Sequence, residues 1–427
     1  MIFIVLFAIC VCLSPLTVLR GEASISVIDI GLVVSAALSV FYLNAQTLVP
    51  SKSAIGERKS RVAVAAGTTF SNPIARFCLF SSLVLIVSSL INMQYRAVSD
   101  GSIFVALTPF VATLSVVFVT CMILHSRFAV LFISSFLLTA IGLSLLYNSA
   151  AILGISSFYY ESRFSGLSLN PNQTAMHALS IIVTSLAVLF KLEDGHWLVK
   201  LLAMLAFPAA LFFGFYTNSD AFIISLLPIA LSVALVLSKR LFVTLKSAIL
   251  IGIFLTALAA TIMALLFPVQ IASALDLFLS GLQTGNQDSD REILWRHGIQ
   301  AWEASPIIGN GPGAWSGLAM PFQGMESHNS YIDWLTIAGL AGFIPFALSI
   351  GSTFRLNVVQ HLTSYLAMLA ILTFASFHFM FRLPIFWLPI ILLQAEHISS
   401  FGLSLPRRRG GAIQTATRPP RGAARSA

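Results

Sequence analysis

Three residues in this 427-residue chain have the type and setting to do chemistry: His328, Arg163 and Arg291. His328 lies in Ser327-His328-Asn329-Ser330-Tyr331-Ile332-Asp333-Trp334, where a polar segment gives way to an apolar one. Ser327 or Asn329 suits a helix cap, and Ser330 and Asp333 have capping-box spacing with Asp in place of Glu. That spacing predicts His328 at the first turn of a helix, whose positive end disfavours protonated imidazole. A neutral imidazole at such a boundary can take a proton from a hydroxyl. The blander alternative is an interfacial histidine hydrogen-bonded to a carbonyl.

The arginines point to an anion. Arg163 stands in Ser162-Arg163-Phe164-Ser165-Gly166, upstream of Asn170-Pro171-Asn172-Gln173. A guanidinium is a rigid five-donor fork suited to phosphate oxygens. Asn172 falls near a helix N-terminus that itself favours anions. The competing reading pairs Arg163 with Glu161 and makes Asn-Pro-Asn a turn and cap. Arg291 follows Asp288-Ser289-Asp290, at the start of a helix running to about Ala304, with Asp290 as cap and Glu292 in the first turn. Arg291, Trp295, Ile299 and Trp302 share one face, predicted to pack on the membrane surface or on a helix bundle. Asp288 and Asp290 match a metal-holding Asp-x-Asp pattern but read as helix capping, so no cofactor or metal is expected. Gly309-Asn310-Gly311-Pro312-Gly313 either brings backbone amides to a ligand or makes a tight turn. Gly339-Leu340-Ala341-Gly342 should let the helix after His328 pack closely and hold the imidazole rigidly.

The elements that must position these residues are membrane spans. Mean hydropathy is +0.91. Charged residues make up only 9% of the chain, against roughly 25% in soluble domains. The expected fold is therefore all-α and polytopic. Twelve apolar stretches are long enough to span: 2–19, 25–43, 74–93, 103–124, 128–147, 173–190, 197–213, 220–237, 243–267, 331–351, 358–380 and 383–400. Met1 to Leu19 lacks a basic start and a small-x-small cleavage site and reads as a retained span. Cys10, Cys12, Cys78 and Cys121 lie in apolar runs without metal or disulfide spacing.

The net charge of +8 reflects topology rather than nucleic-acid binding. Placing the loop with Lys52, Arg58, Lys59 and Arg61 in the cytoplasm fixes the rest by alternation. Of 24 basic residues, only Arg20, Arg96, Arg163, Arg291, Arg296 and Arg382 then lie outside. Both termini are cytoplasmic in this scheme. Residues 1–147 form N-terminal spans. Residues 148–402 form a core containing an external loop at 268–329. Residues 403–427 form a basic tail whose composition suits disorder and contact with anionic lipid.

In this order, Arg163-x-x-Gly166, Asn170-Pro171-Asn172, Arg291-x-x-x-Trp295, Gly309-x-Gly311-x-Gly313 and His328-Asn329 resemble the bacterial O-antigen ligase and polysaccharide polymerase superfamily. The resemblance covers about residues 160–345. It implies a metal-independent glycosyltransferase of the inner membrane, working on the periplasmic face. Its donor would be a glycan on undecaprenyl diphosphate, and its acceptor a growing glycan or lipid A core. Other polysaccharide-assembly proteins would be its neighbours. By the family's pattern Arg163 and Arg291 engage the donor diphosphate and His328 is the base, with Asn172 and Asn329 in support. One position departs. Where the family often has Ser-Arg, this chain has Thr217-Asn218-Ser219-Asp220-Ala221. Asp220 reverses the local charge; it removes a third basic contact, or it positions an arginine or an acceptor hydroxyl. A polymerase of exopolysaccharide or O-antigen repeats is favoured over a ligase to lipid A core. A lipid-linked oligosaccharide transporter is the reading from another class. It would place polar groups mid-span, where only Asp29, Pro208 and Pro228 stand out. A non-catalytic scaffold would tolerate loss of His328.

Overall fold

The computed structural model describes residues 1–16, 27–48, 72–95, 102–160, 163–168, 170–192, 196–241, 290–312, 326–355 and 358–395. Among them are twelve α-helices: α1 (Ile2–Leu13), α2 (Val27–Leu48), α3 (Pro73–Tyr95), α4 (Ser102–Leu124), α5 (Ala129–Ile152), α6 (Pro171–Lys191), α7 (Trp197–Tyr216), α8 (Asp220–Leu241), α9 (Asp290–Glu303), α10 (Ser330–Gly351), α11 (Val358–Ala375) and α12 (Pro384–Gln394). The only strands among the described residues are the two-residue pair Tyr159–Tyr160 and Arg163–Phe164, antiparallel. Six helices, α3 to α7 and α10, are long and apolar enough to cross a membrane, so the chain is a multi-pass membrane protein. Eleven of the twelve expected spans coincide with helices. The ninth, 243–267, lies outside the described residues, as do Asp288, the segment 313–325 and the tail 403–427.

Three helix ends fall short of the apolar runs that predicted them. The first run reaches residue 19, but α1 stops at Leu13. The last extends to residue 400, but α12 ends at Gln394. Every α12 residue from Pro384 to Leu393 is buried, so this helix is packed inside protein. The run 358–380 is helical only to Ala375. Pro384 is the first residue of α12, and the chain turns between Ser376 and Leu383 to reach it. Hydropathy cannot separate an apolar turn sealed inside protein from the end of a span.

α6 is the most buried of the six long helices. Its interior positions include Ala175, Ala178, Ser180, Thr184 and Ala187. Such small side chains let α7, α11 and α12 approach it closely. α10 packs on α3 and α9, and α8 on α11. A cluster of aromatic rings locks the turn after α11 against α10. Phe381 lies 4.7 Å from Phe346, 5.4 Å from Trp387 and 5.6 Å from Trp334 between ring centroids. These tilted and edge-on contacts are what bring the turn after α11 to the N-terminus of α10.

Candidate functional site

Arg163 is held by three segments. Its strand is anchored by Phe164, which is fully buried 5.7 Å from Tyr147. Gly166 lies against that same Tyr147 ring, where a Cβ would stand 2.8 Å from Cζ. The guanidinium donates from Nε to the Thr217 carbonyl (3.2 Å) and from Nη2 to the Asn218 carbonyl (3.0 Å) and Asn172 Oδ1 (3.2 Å). Asn170 caps α6, its Oδ1 accepting from the Asn172 amide at 2.9 Å, and Pro171 takes the first helical position. Capping and arginine binding are thus divided between two asparagines: Asn170 does the first and Asn172 the second. Glu161 lies outside the described residues.

Arg291 opens α9. That helix docks through Leu294, Gly298 and Ala301, all buried, while Ile299 is exposed. Of the two surfaces expected for the Trp295–Ile299–Trp302 face, the helix bundle is therefore met by the Leu294–Gly298–Ala301 face instead, which leaves Ile299 on the outside. The small Gly298 and Ala301 let the α9 backbone reach α10, where Thr336 Oγ1 donates to the Gly298 carbonyl at 3.1 Å. Arg291 lies over the Phe377 ring, 5.8 Å from its centroid. Its Nη1 is buried and has no hydrogen-bond partner among the described residues. Burial lowers its proton affinity, the Asp220 carboxylate raises it, and Arg163 lowers it. A guanidinium nevertheless stays charged. Asp220, the first residue of α8, is thus a negative charge near enough to favour the charged form of Arg291.

His328 does not occupy the first turn of α10. The helix begins at Ser330, and Asn329 is its cap, Oδ1 accepting from the Tyr331 and Ile332 amides at 3.0 and 3.3 Å. The expected Ser330–Asp333 box is replaced by a longer reach, with Asp333 Oδ1 accepting from the Ser327 amide at 2.9 Å. His328 sits two residues before the helix with φ 55°, a left-handed conformation that costs a non-glycine residue energy. The segment just before it is clamped, because Arg382 forms a bidentate pair with Glu326, two residues upstream, at 2.6 and 3.3 Å. The neutral imidazole expected here has a different principal cause. Desolvation depresses its proton affinity most; Glu326 opposes this, and Arg291 and Arg382 add to it.

A second histidine was not singled out by the sequence. His378 lies in the turn after α11, buried, with its ring centroid 6.4 Å from that of His328. Ser330 Oγ donates to the His378 carbonyl at 2.6 Å and accepts from the Met380 amide at 2.9 Å, so the first residue of α10 grips this turn. Burial holds His378 well below the usual histidine range, reinforced by Arg291, His328 and Arg163. Among the described residues no hydrogen bond reaches a ring nitrogen of either imidazole. Its sequence signal was an ionisable residue inside an apolar run six positions before a proline.

The structure thus brings together Arg163, Asn172, Asp220, Arg291 and His328, with Asn329 as a cap, from segments scattered over more than 160 residues. It does not bring the glycine-rich turn to a ligand. The Asn310 and Gly311 amides donate to the Thr336 and Ile337 carbonyls, and Gly313 lies outside the described residues. The arrangement offers a desolvated, partly unpaired cation beside two unprotonated imidazoles, suited to an anionic leaving group and a hydroxyl nucleophile. A scan against protein-family models finds no match, and a search of curated proteins finds no similar sequence.

Proposed function

We propose that this chain is an inner-membrane glycosyltransferase that moves a glycan from undecaprenyl diphosphate to an acceptor sugar hydroxyl on the periplasmic face, as a polymerase of exopolysaccharide or O-antigen repeat units. Arg291, assisted by Arg163, binds the donor diphosphate. His328 takes the acceptor proton as the hydroxyl oxygen attacks the anomeric carbon. The bond from that carbon to the phosphate oxygen breaks, and its electron pair leaves with undecaprenyl diphosphate. The observation that carries this reading is the buried Arg291 Nη1, without a hydrogen-bond partner among the described residues, near His328, whose proton affinity is lowered by burial. A buried donor left unpaired is costly unless a ligand completes it.

The transporter reading gains one observation, the interruption of α10 at Gly339, because transporters build sites at broken helices. It loses that support locally. The helical hydrogen bonds opened by the break are taken up by the segment 306–311 rather than left for a substrate or ion.

The test is genetic and biochemical. A deletion strain complemented with His328→Ala should make no polysaccharide although the variant is present in the membrane; normal polysaccharide would remove His328 from the chemistry. In the deletion strain, single lipid-linked repeats should accumulate. Long lipid-linked chains beside bare lipid A core would instead assign the chain as a ligase.

A further inference from the structure

The break in α10 and the loop after α9 are two halves of one joint. In an unbroken helix the Leu340 and Ala341 amides would bond to the Thr336 and Ile337 carbonyls, four residues back. Here Leu340 donates to the Pro306 carbonyl (2.9 Å) and Ala341 to the Ile307 carbonyl (2.8 Å). The vacated Thr336 and Ile337 carbonyls accept from the Asn310 and Gly311 amides at 2.8 and 2.9 Å. Two bonds within a helix have become four bonds between segments, and the Leu340 and Ala341 amides and Thr336 and Ile337 carbonyls all keep partners.

Only glycines allow the crossing. Gly339 has φ 58° and ψ −164°, a conformation confined to glycine. A Cβ there would stand 2.4 Å from the Ile307 oxygen. Gly309 has φ 71°, and a Cβ on it would stand 2.4 Å from the Ile337 carbonyl. Side chains then seal the joint. Asn310 Nδ2 donates to the Ala301 carbonyl at 2.6 Å, Trp302 Nε1 to the Pro306 carbonyl at 3.1 Å, and Ser88 Oγ of α3 to the Gly309 carbonyl at 3.3 Å. Thr336 Oγ1 reaches the Gly298 carbonyl of α9. Gly339 lies nine residues into α10, roughly 14 Å below its start.

We infer that Asn310 and Thr336 are positioning residues for Arg291, with the segment 306–311 threaded through α10 so that α9 and α10 form one rigid body. Arg291 sits at the N-terminal end of α9, and His328 precedes the cap of α10. The joint therefore sets the separation between the cation and the imidazole. The position of α9 follows from the contacts above; its consequence for a diphosphate rests on the function proposed for Arg291.

The experiment uses the full chain in nanodiscs of phosphatidylethanolamine and phosphatidylglycerol, with undecaprenyl diphosphate as probe and undecaprenol as control. Hydrogen exchange read by mass spectrometry should show α9 peptides exchanging about tenfold faster in Asn310→Ala and Thr336→Val. Affinity for undecaprenyl diphosphate should fall about tenfold in both variants, since each displaces the guanidinium without removing it. Thr336→Ser, which keeps the hydroxyl, should restore both readouts. Unchanged α9 exchange in both variants would overturn the inference. So would faster exchange with undiminished affinity for undecaprenyl diphosphate. Faster exchange in a protein whose wild type binds undecaprenyl diphosphate no better than undecaprenol would uphold the joint and sink the diphosphate reading instead.

Discussion

The surroundings of Arg163 and Arg291 differ in kind. Arg163 spends its fork on the protein, on two carbonyls of the turn between α7 and α8 and on Asn172. Arg291 has an aromatic ring beneath it, Asp220 nearby, and a buried Nη1 with no described partner. The first side chain ties three segments together and presents its charge from a fixed frame. The second is held from behind, through its helix, and leaves donors unspent. A site that must grip an anion and then release it gains from this division, because one cation supplies a permanent field and the other supplies new hydrogen bonds.

The largest expected effect tests that division. Arg291→Ala should reduce transfer by roughly a thousandfold or more, the scale of losing a desolvated donor to developing charge. Its amount in the membrane should be unchanged, since its buried Nη1 makes no hydrogen bond among the described residues. Arg163→Ala should reduce transfer less per folded molecule, but should also lower the amount of folded protein, because three protein acceptors lose their donor. Quantitative immunoblotting beside a transfer assay separates the two. If Arg163→Ala left protein levels intact and Arg291→Ala lowered them, the roles would be reversed.

The parts legible in the sequence were those with local signals. Asn170-Pro171 marks a helix start within three residues, and the structure caps α6 there. Asn329 was one of two caps weighed for α10, and it is the one used. What escaped needed a partner distant in sequence. His378 looked like part of a span because the aromatic residues Phe377, Phe379 and Phe381 around it are apolar, yet they wall a turn. Gly339 reads in the sequence as a packing glycine, whereas it breaks α10, and the reason lies in the distant segment 306–311. The face of α9 that meets the bundle carries no large side chain to announce it, because close approach needs Gly298 and Ala301. Asp220 reads in the sequence as a local charge reversal, and only the fold shows that its charge is felt by Arg291.

An effect of intermediate size sharpens the electrostatic half of the comparison. His328 is depressed by desolvation and by Arg291 and Arg382, and raised by Glu326. A base works unprotonated, so a lowered proton affinity moves the acid limb of the pH profile below the ordinary value near 6.5. Arg382→Gln removes one depressing charge and releases Glu326 from its pair, and both changes raise His328. The limb should therefore move toward higher pH. Transfer should fall about tenfold at pH 6 and only slightly at pH 8, where the imidazole is neutral in either protein. An equal loss at both values would leave Arg382 with a purely mechanical part in clamping the segment before His328.

The smallest effect probes the frame around Arg163. Asn172→Ala removes one of its three acceptors and leaves the Thr217 and Asn218 carbonyls in place. The α6 cap is untouched, because Asn170 Oδ1 accepts from the Asn172 amide, which alanine retains. Stability should change by less than about 1 kcal/mol, the net worth of one partly buried hydrogen bond to a charged group after discounting for solvent. The guanidinium, still fixed by two carbonyls, should lose only a few-fold in transfer. Asn172→Asp is the informative companion. It restores an acceptor but brings a negative charge to the cation that supplies the permanent field. If Arg163 acts by its field, the aspartate variant should transfer more slowly than the alanine variant despite its better hydrogen bond. If Arg163 only holds the three segments together, the aspartate variant should match or exceed wild type, and the field would then belong to Arg291 alone.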